Sequence, residues 1–413
     1  MLSNHRSMPK LVGSLLRRHT ARHFSTTGGS ETAPFDRSVK LKQRTRAAEA
    51  SRLIKNTPIH HLHPDDTSRE APSSHRNNSS SISSNPLPYD YFHREIAQRL
   101  VDRLDDIHIR ENGEGGFPLA LEIGAGAGFV HEAIIDGCAG DLDEEDELLL
   151  DSDHNIVQYT GRGGVRKLVQ LDSCSAMLHR DDNHVATNDA SSASASNTIC
   201  ETYKLVAEEE GPFPFPDGTF DLVISSMAFH WINDLPRLLT EIKRVLKPDG
   251  CLLFALPGGN TLPELRSSLV LAELERTGGV STHLGPYIDL SNVGSLLTGT
   301  GFKLPTIDVD DIQIGYPNMM VLMEHLGRMG EGNACLNRKD RVGLGTFVGA
   351  ACLYDELYSA EDDSDDEGGG IVASAQIIYG IAWKEHETQQ KPLDRGSASH
   401  KLTDIAVTQT KME

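Results

Sequence analysis

An apolar run from Phe117 to Ile123 stops at Gly124-Ala125-Gly126-Ala127-Gly128. A short apolar run that ends in glycine reads as a buried strand. Glycines at the following turn let the backbone approach a ligand closely and adopt conformations closed to other residues. The helix N-terminus expected after the turn favours an anionic group, such as a ligand carboxylate. The dinucleotide fingerprint G-x-G-x-x-G requires glycine at position 129, and that position is Phe129. The spacing is therefore G-x-G-x-G, which points away from a nicotinamide cofactor. Glu122, at the tip of the strand, is placed to receive an ammonium group. Glu122, Gly124, Gly126 and Gly128 are the first candidate cofactor-binding residues.

The elements after this turn alternate. Strand patterns cover Lys167 to Leu171, Tyr203 to Val206, Phe220 to Ser225 and Cys251 to Leu256, with two more at Ile307 to Ile314 and Ala375 to Trp383. Helical patterns cover Leu235 to Leu246, with Asp234 as N-cap, and Thr261 to Arg276, closed by Gly278-Gly279. An amphipathic helix precedes the first strand, with Phe92, Ile96 and Leu100 on its apolar face. Strands alternating with helices predict an α/β fold with a doubly wound, mostly parallel sheet. The strand candidates make the sheet seven-stranded, and the two late strands are expected as an antiparallel edge hairpin. Polar inserts interrupt the pattern near 139–165, 181–200 and 359–371. Residues 51–88, rich in Ser, Asn, His and Pro, read as a disordered linker.

In such a fold an acid at the end of the second strand binds ribose hydroxyls. Asp172 holds that place. It lies 172 − 128 = 44 residues beyond Gly128, and the acidic insert accounts for the excess over the usual spacing of about 20. An acid after the third strand is expected to accept the adenine amino hydrogens. Glu208 or Glu209 fits, with Glu208 preferred. G-x-G-x-G with these acids is the methyltransferase form, and it predicts S-adenosylmethionine as cofactor. After the fourth strand, Phe229 and Trp231 could wall a ligand or pack in the core. His230 could serve as a base, a ligand or a buried histidine.

The net charge of −21 invites a search for basic partners. Yet eight acids fall between Asp141 and Asp153 and six between Glu361 and Glu367, in runs that read as solvated loops. With no basic stripe interleaved with aromatics, nucleic acid is not an expected partner. None of the six cysteines forms a C-x-x-C pair, so no structural zinc site is expected. No stretch reaches the roughly 18–20 apolar residues of a membrane span. The start of the chain is rich in Arg and Ser and has no acid before Glu31. It reads as a mitochondrial transit peptide over residues 1–24, cut after Phe24.

A wider set of segments resembles one family. These are Phe35-Asp36-Arg37 with Lys42-Gln43-Arg44, Phe117 to Gly128, and Asp221 to Asp234 ending in His230-Trp231-Ile232-Asn233-Asp234. Gly258 to Leu262 with Glu264-Leu265-Arg266, Tyr316-Pro317, Gly330-Glu331 with Asn337-Arg338, and Trp383-Lys384 to Arg395-Gly396 belong to the set. They are similar to the mitochondrial complex I assembly factor 5 family of protein-arginine hydroxylases. A more distant likeness is to the bacterial biotin-synthesis carboxyl methyltransferase and the ubiquinone methylases. The resemblance implies a family segment over 25–50, a SAM-binding class I methyltransferase-like domain over 89–390 and a C-terminal tail over 391–413. It implies hydroxylation of an arginine on the PSST-type iron–sulfur subunit of complex I, in the matrix and peripheral to the inner membrane. Two departures stand out: Ala125 replaces a frequent Cys, and the acidic inserts flank the glycine loop.

A guanidinium substrate wants a carboxylate in a closed pocket, and Asp234, Glu264, Glu273 and Glu275 are the candidates. The catalytic set is expected among His230, Trp231, Asp234 and Glu264. Oxygen insertion usually needs a redox centre. The one H-x-E triplet, His93-Arg94-Glu95, reads as a solvated helix face, so no metal ligand is assigned and the redox cofactor stays open. Two other readings remain: a methyltransferase of a small molecule or protein, and a non-catalytic SAM-binding assembly chaperone.

Overall fold

The computed structural model describes residues 33–56, 89–107, 116–136, 161–182, 200–339, 341–359 and 370–389. The expected transit peptide, most of the linker and the C-terminal tail lie outside the described residues.

The chain forms α1 (Arg37–Asn56), α2 (Tyr91–Asp102), β1 (Leu119–Ile123), α3 (Phe129–Asp136), β2 (Lys167–Asp172), α4 (Ser175–Leu178) and β3 (Glu201–Val206). There follow β4 (Phe220–Ser226), α5 (Leu235–Val245), β5 (Leu246–Pro257), α6 (Pro263–Thr277), α7 (Leu290–Gly299), β6 (Lys303–Tyr316), α8 (Met319–Met329), α9 (Leu344–Tyr358) and β7 (Ile371–Trp383). The seven strands make one sheet in the order β3-β2-β1-β4-β5-β7-β6. β1 to β5 run parallel, and β7 is antiparallel to both β5 and β6. The strand reversal between β1 and β4 opens a crevice at the carboxyl ends of the parallel strands, where ligands bind in such sheets.

Apolar residues coat both faces of the sheet. On one face Leu238, Leu239, Ile242 and Val245 of α5 and Val293 and Leu297 of α7 pack on Leu121, Ile123 and Val223. On the other, Ile96, Leu100 and Val101 of α2 and Val130, Ala133 and Ile134 of α3 pack on Ala120, Leu168, Leu222 and Ile224. A third cluster joins α6, α8 and α9 through Leu265, Leu269, Leu322, Ala350 and Tyr354.

Several boundaries differ from the sequence reading. The segment expected to open the linker at residue 51 continues α1 as far as Asn56. The late strands are not joined by a tight turn: α8 and α9 lie between them, and β7 enters the sheet between β5 and β6. β5 starts at Leu246 rather than Cys251, because Leu246 already pairs with Phe220; an irregularity that holds left-handed Asp249 (φ 64°) separates this pairing from that of Cys251 with Leu222. The end of the first insert is not surface decoration. Val165 is fully buried, and the Gly163 carbonyl accepts the Phe117 N–H at 2.8 Å.

Candidate functional site

The glycine turn has the geometry its composition demands. Gly124, Gly126 and Gly128 all have positive φ, at 71°, 57° and 92°. A Cβ at Gly124 would stand 2.3 Å from the Ala228 Cβ, so that position must stay bare for the β1 and β4 tips to meet. Together with Met227, Ala228 and Trp231 after β4, this turn lines a cleft. Three segments remote in sequence complete it: Arg37, Lys40 and Arg44 of α1, His93 of α2, and Met329 and Glu331 at the end of α8.

Glu122 is buried at the floor of the cleft, and its Oε2 accepts a 2.9 Å hydrogen bond from Gln170 Nε2. Burial outweighs that bond and pushes its carboxyl up to about 8. A neutral or barely ionised acid at this place is ready to gain a cationic partner.

Asp172 lies beside it at the tip of β2, fully buried. It accepts the Gly126 N–H at 2.8 Å, the Cys174 N–H at 2.7 Å and the Arg44 guanidinium at 2.6 Å. Of the acids after β3, the structure brings Glu209 into the cleft and leaves Glu208 exposed. This corrects the preference for Glu208: the chain turns sharply after Glu208, and the next carboxylate points inward. Glu209 accepts the Ser173 N–H at 3.1 Å and the Ser173 hydroxyl at 2.9 Å, and it pairs with Arg37. Burial raises its pKa, but Arg37 and Arg44 outweigh that and hold it below the usual range.

A second cluster centres on Glu331. Its Oε2 accepts from Trp231 Nε1 at 2.8 Å, from Lys40 Nζ at 3.1 Å and from His230 Nε2 at 3.1 Å. His93 Nε2 stands 3.7 Å from Oε1. Burial alone would raise this carboxyl, yet Lys40, His230 and His93 hold it well below its ordinary value. Burial pushes Lys40 down to about 7, against the pull of Glu331. The Lys40 ammonium also sits 3.4 Å over the Trp231 ring and donates to the Gly330 carbonyl at 2.7 Å.

The other expected site residues fall elsewhere. Asp234 is exposed, and its Oδ1 caps α5 by accepting the Arg237 N–H at 3.0 Å, so its role is that of a helix cap. Glu264 is buried but accepts the Ser374 N–H of β7 at 3.2 Å, away from the cleft. Glu273 is taken up by Ser281, His283 and Lys339, and Glu275 is exposed. His230 and Trp231 do reach the site, through Glu331. His93 is not on a solvated helix face: it stacks on Phe129 at 6.1 Å and lines the cleft. Among the described residues no group of three or more His, Cys, Asp or Glu side chains is arranged to hold a metal ion. Sequence reasoning missed Glu331, Lys40 and Arg44 as site residues. The segments that carry them stand out only in the family resemblance.

The sheet order with its antiparallel β7, the glycine turn after β1 and the acids on neighbouring tips define a class I methyltransferase fold. Residues 153–254 match the family model described as a methyltransferase domain. The arginine-hydroxylase NDUFAF5, mitochondrial, of Rattus norvegicus is 40% identical over 321 residues, 78% of this chain and 78% of that one. A malonyl-acyl-carrier-protein O-methyltransferase of Laribacter hongkongensis is 31% identical over 195 residues, 46% of this chain and 60% of its own. Among solved structures the YcgJ protein from Bacillus subtilis is 15% identical with a TM-score of 0.41, over 70% of this chain and 98% of that one. The chain belongs to the NDUFAF5 arginine-hydroxylase family.

Proposed function

We propose that this protein is a mitochondrial arginine hydroxylase of complex I assembly that modifies the PSST-type iron–sulfur subunit. We place it in the matrix, peripheral to the inner membrane. The observation that carries this reading is the 40% identity to an arginine hydroxylase over 78% of both chains. No described helix is long and apolar enough to cross a membrane. Hydroxylation replaces R–H by R–OH. With dioxygen as oxidant, the second oxygen leaves as water, using two electrons and two protons from a reductant outside the chain.

One side of the cleft in particular supports S-adenosylmethionine as the ligand. Glu122, buried with one hydrogen bond, suits the ligand's ammonium, and the three positive-φ glycines leave room for its backbone-like part. Asp172 would take the ribose hydroxyls and Glu209 the adenine side, but both are engaged by arginines of α1, so Arg44 must turn aside or share Asp172. When bound, such a ligand supplies a sulfonium methyl. The glycine turn with Glu122 beside it is the feature that favours the second reading, a methyltransferase.

Incubation with the intact partner subunit, followed by peptide mass measurement, separates the readings. A gain of one oxygen on an arginine is the expected result. A gain of one methylene would replace it with methyl transfer, and an unchanged mass with a non-catalytic assembly chaperone.

A further inference from the structure

A second, mainly apolar pocket lies beside the cofactor-type cleft. Phe92, Tyr287, Tyr316, Leu322 and Leu326 contribute to its wall, along with His230. Met227, Met329 and Glu331 line both cavities, so Glu331 stands where the two meet. We propose that Glu331 and His230 form the binding site for the guanidinium of a substrate arginine, whose methylenes lie along the apolar wall. This assignment rests on the hydroxylase reading and names where that reaction's substrate is held.

Three observations carry it. First, a guanidinium offers five N–H donors and no acceptor, so its site must supply acceptors. The three hydrogen bonds of normal length to Glu331 converge on Oε2, while His93 Nε2 stands 3.7 Å from Oε1. Second, His230 turns Nε2 to the carboxylate, which sets that nitrogen as the donor and leaves Nδ1 as an acceptor. That Nδ1 is buried and has no hydrogen-bond partner. A buried polar atom without a partner is costly and marks a place for an incoming donor. Third, none of the carboxylates considered for a guanidinium from the sequence lines this cavity: Asp234 is exposed and caps a helix, Glu264 holds β7, Glu273 is taken up by Ser281, His283 and Lys339, and Glu275 is exposed. Apolar walls ending in a carboxylate match a side chain with a long aliphatic stem and a charged tip.

The test uses the full-length protein and two capped tripeptides, Gly-Arg-Gly and its citrulline twin, which keeps the shape without the charge. Calorimetry should show the arginine peptide binding at least about tenfold more tightly, the scale of a hydrogen-bonded charge. Glu331→Gln should erase that preference. Leu326→Trp, which fills the apolar cavity, should weaken both peptides. A wild type that binds neither peptide, or both alike, overturns the site, as does a folded Glu331→Gln that keeps the full preference. Should Glu331→Gln fail to fold, an unchanged affinity in Leu326→Trp overturns it instead. If the wild type adds oxygen to the partner while Glu331→Gln binds arginine normally, only the site is wrong. If the wild type adds no oxygen, the hydroxylase reading itself is lost.

Discussion

Glu122, buried, and Glu331, half-buried, are carboxyls on one cleft, yet their surroundings push them in opposite directions. Glu122 has a single amide donor, and burial lifts it to about 8; Glu331 has an ammonium, an imidazole and an indole N–H, and stays ionised. For Glu122 the sign of the linkage is plain. Its folded pKa lies above the unfolded value, so the native state holds the proton more tightly and stability falls as pH rises from about 5 to about 8. Glu122→Gln, which can still accept from Gln170, removes that loss. The variant is expected to match the wild type at pH 5 and to exceed it by roughly 2–4 kcal/mol at pH 8 in urea unfolding. Equal stability at both values would mean that Glu122 is ionised throughout. Lys40, pushed down to about 7, controls the neighbouring site. Glu331 and His230 face it, and Arg37 and Arg44 crowd it along α1. Loss of its proton removes a competing charge, so arginine-peptide affinity should rise several-fold between pH 6 and pH 8. Lys40→Met should flatten that rise; a slope that survives the substitution would assign it to another group.

At the scale of elements, α1 does what no apolar stripe announces. Arg37, Lys40 and Arg44 lie on one face and deliver three cations to Glu209, Glu331 and Asp172. Hydrophobic periodicity cannot reveal a helix docked by ion pairs, which is why its residues stood out only by family resemblance. The β1 turn is the opposite case. Strand, glycines and Glu122 are contiguous, so one local reading placed the turn and its carboxylate together, while the position of Asp172 at the next strand tip followed from the fold rule despite a long insert. The choice between Glu208 and Glu209 turned on the direction of a single turn, which spacing does not encode. Arg44→Ala should therefore act far beyond a surface change. It leaves Asp172 fully buried with two backbone donors and no cation, at a cost of about 2–4 kcal/mol, and it should speed proteolysis within α1. A melting curve unchanged by Arg44→Ala would mean that the helix is not held by this pair.

At the scale of the molecule, the cleft is stitched from segments that meet only after folding. Arg44 reaches Asp172 across 128 residues, and Lys40 reaches the Gly330 carbonyl across 290. The excursion between β6 and β7 exists, in effect, to return Glu331 to the β4 loop; a reader of the sequence sees two strands and a gap. A ligand that touches the glycine turn and the tips of β1 and β2 adds contacts of its own to segments that α1 and α8 also meet, while Arg44 shares or leaves Asp172. S-adenosylmethionine at about a hundredfold excess over its dissociation constant should add about 2.7 kcal/mol to the native state, read as a higher melting temperature. Two glycine variants separate fold from site. Gly124→Ala drives its Cβ into Ala228 and should cost about 1–3 kcal/mol with or without ligand, relieved in part by adding Ala228→Gly. A Cβ at Gly126 meets no atom closer than 3.8 Å, so Gly126→Val should still fold, but a branched residue at a φ of 57° is strained and must tilt the cradle. Its melting temperature should then stop responding to the ligand. If Gly126→Val keeps the full ligand-induced shift, the adenosyl ligand does not sit on this turn, and Glu122 needs another cation.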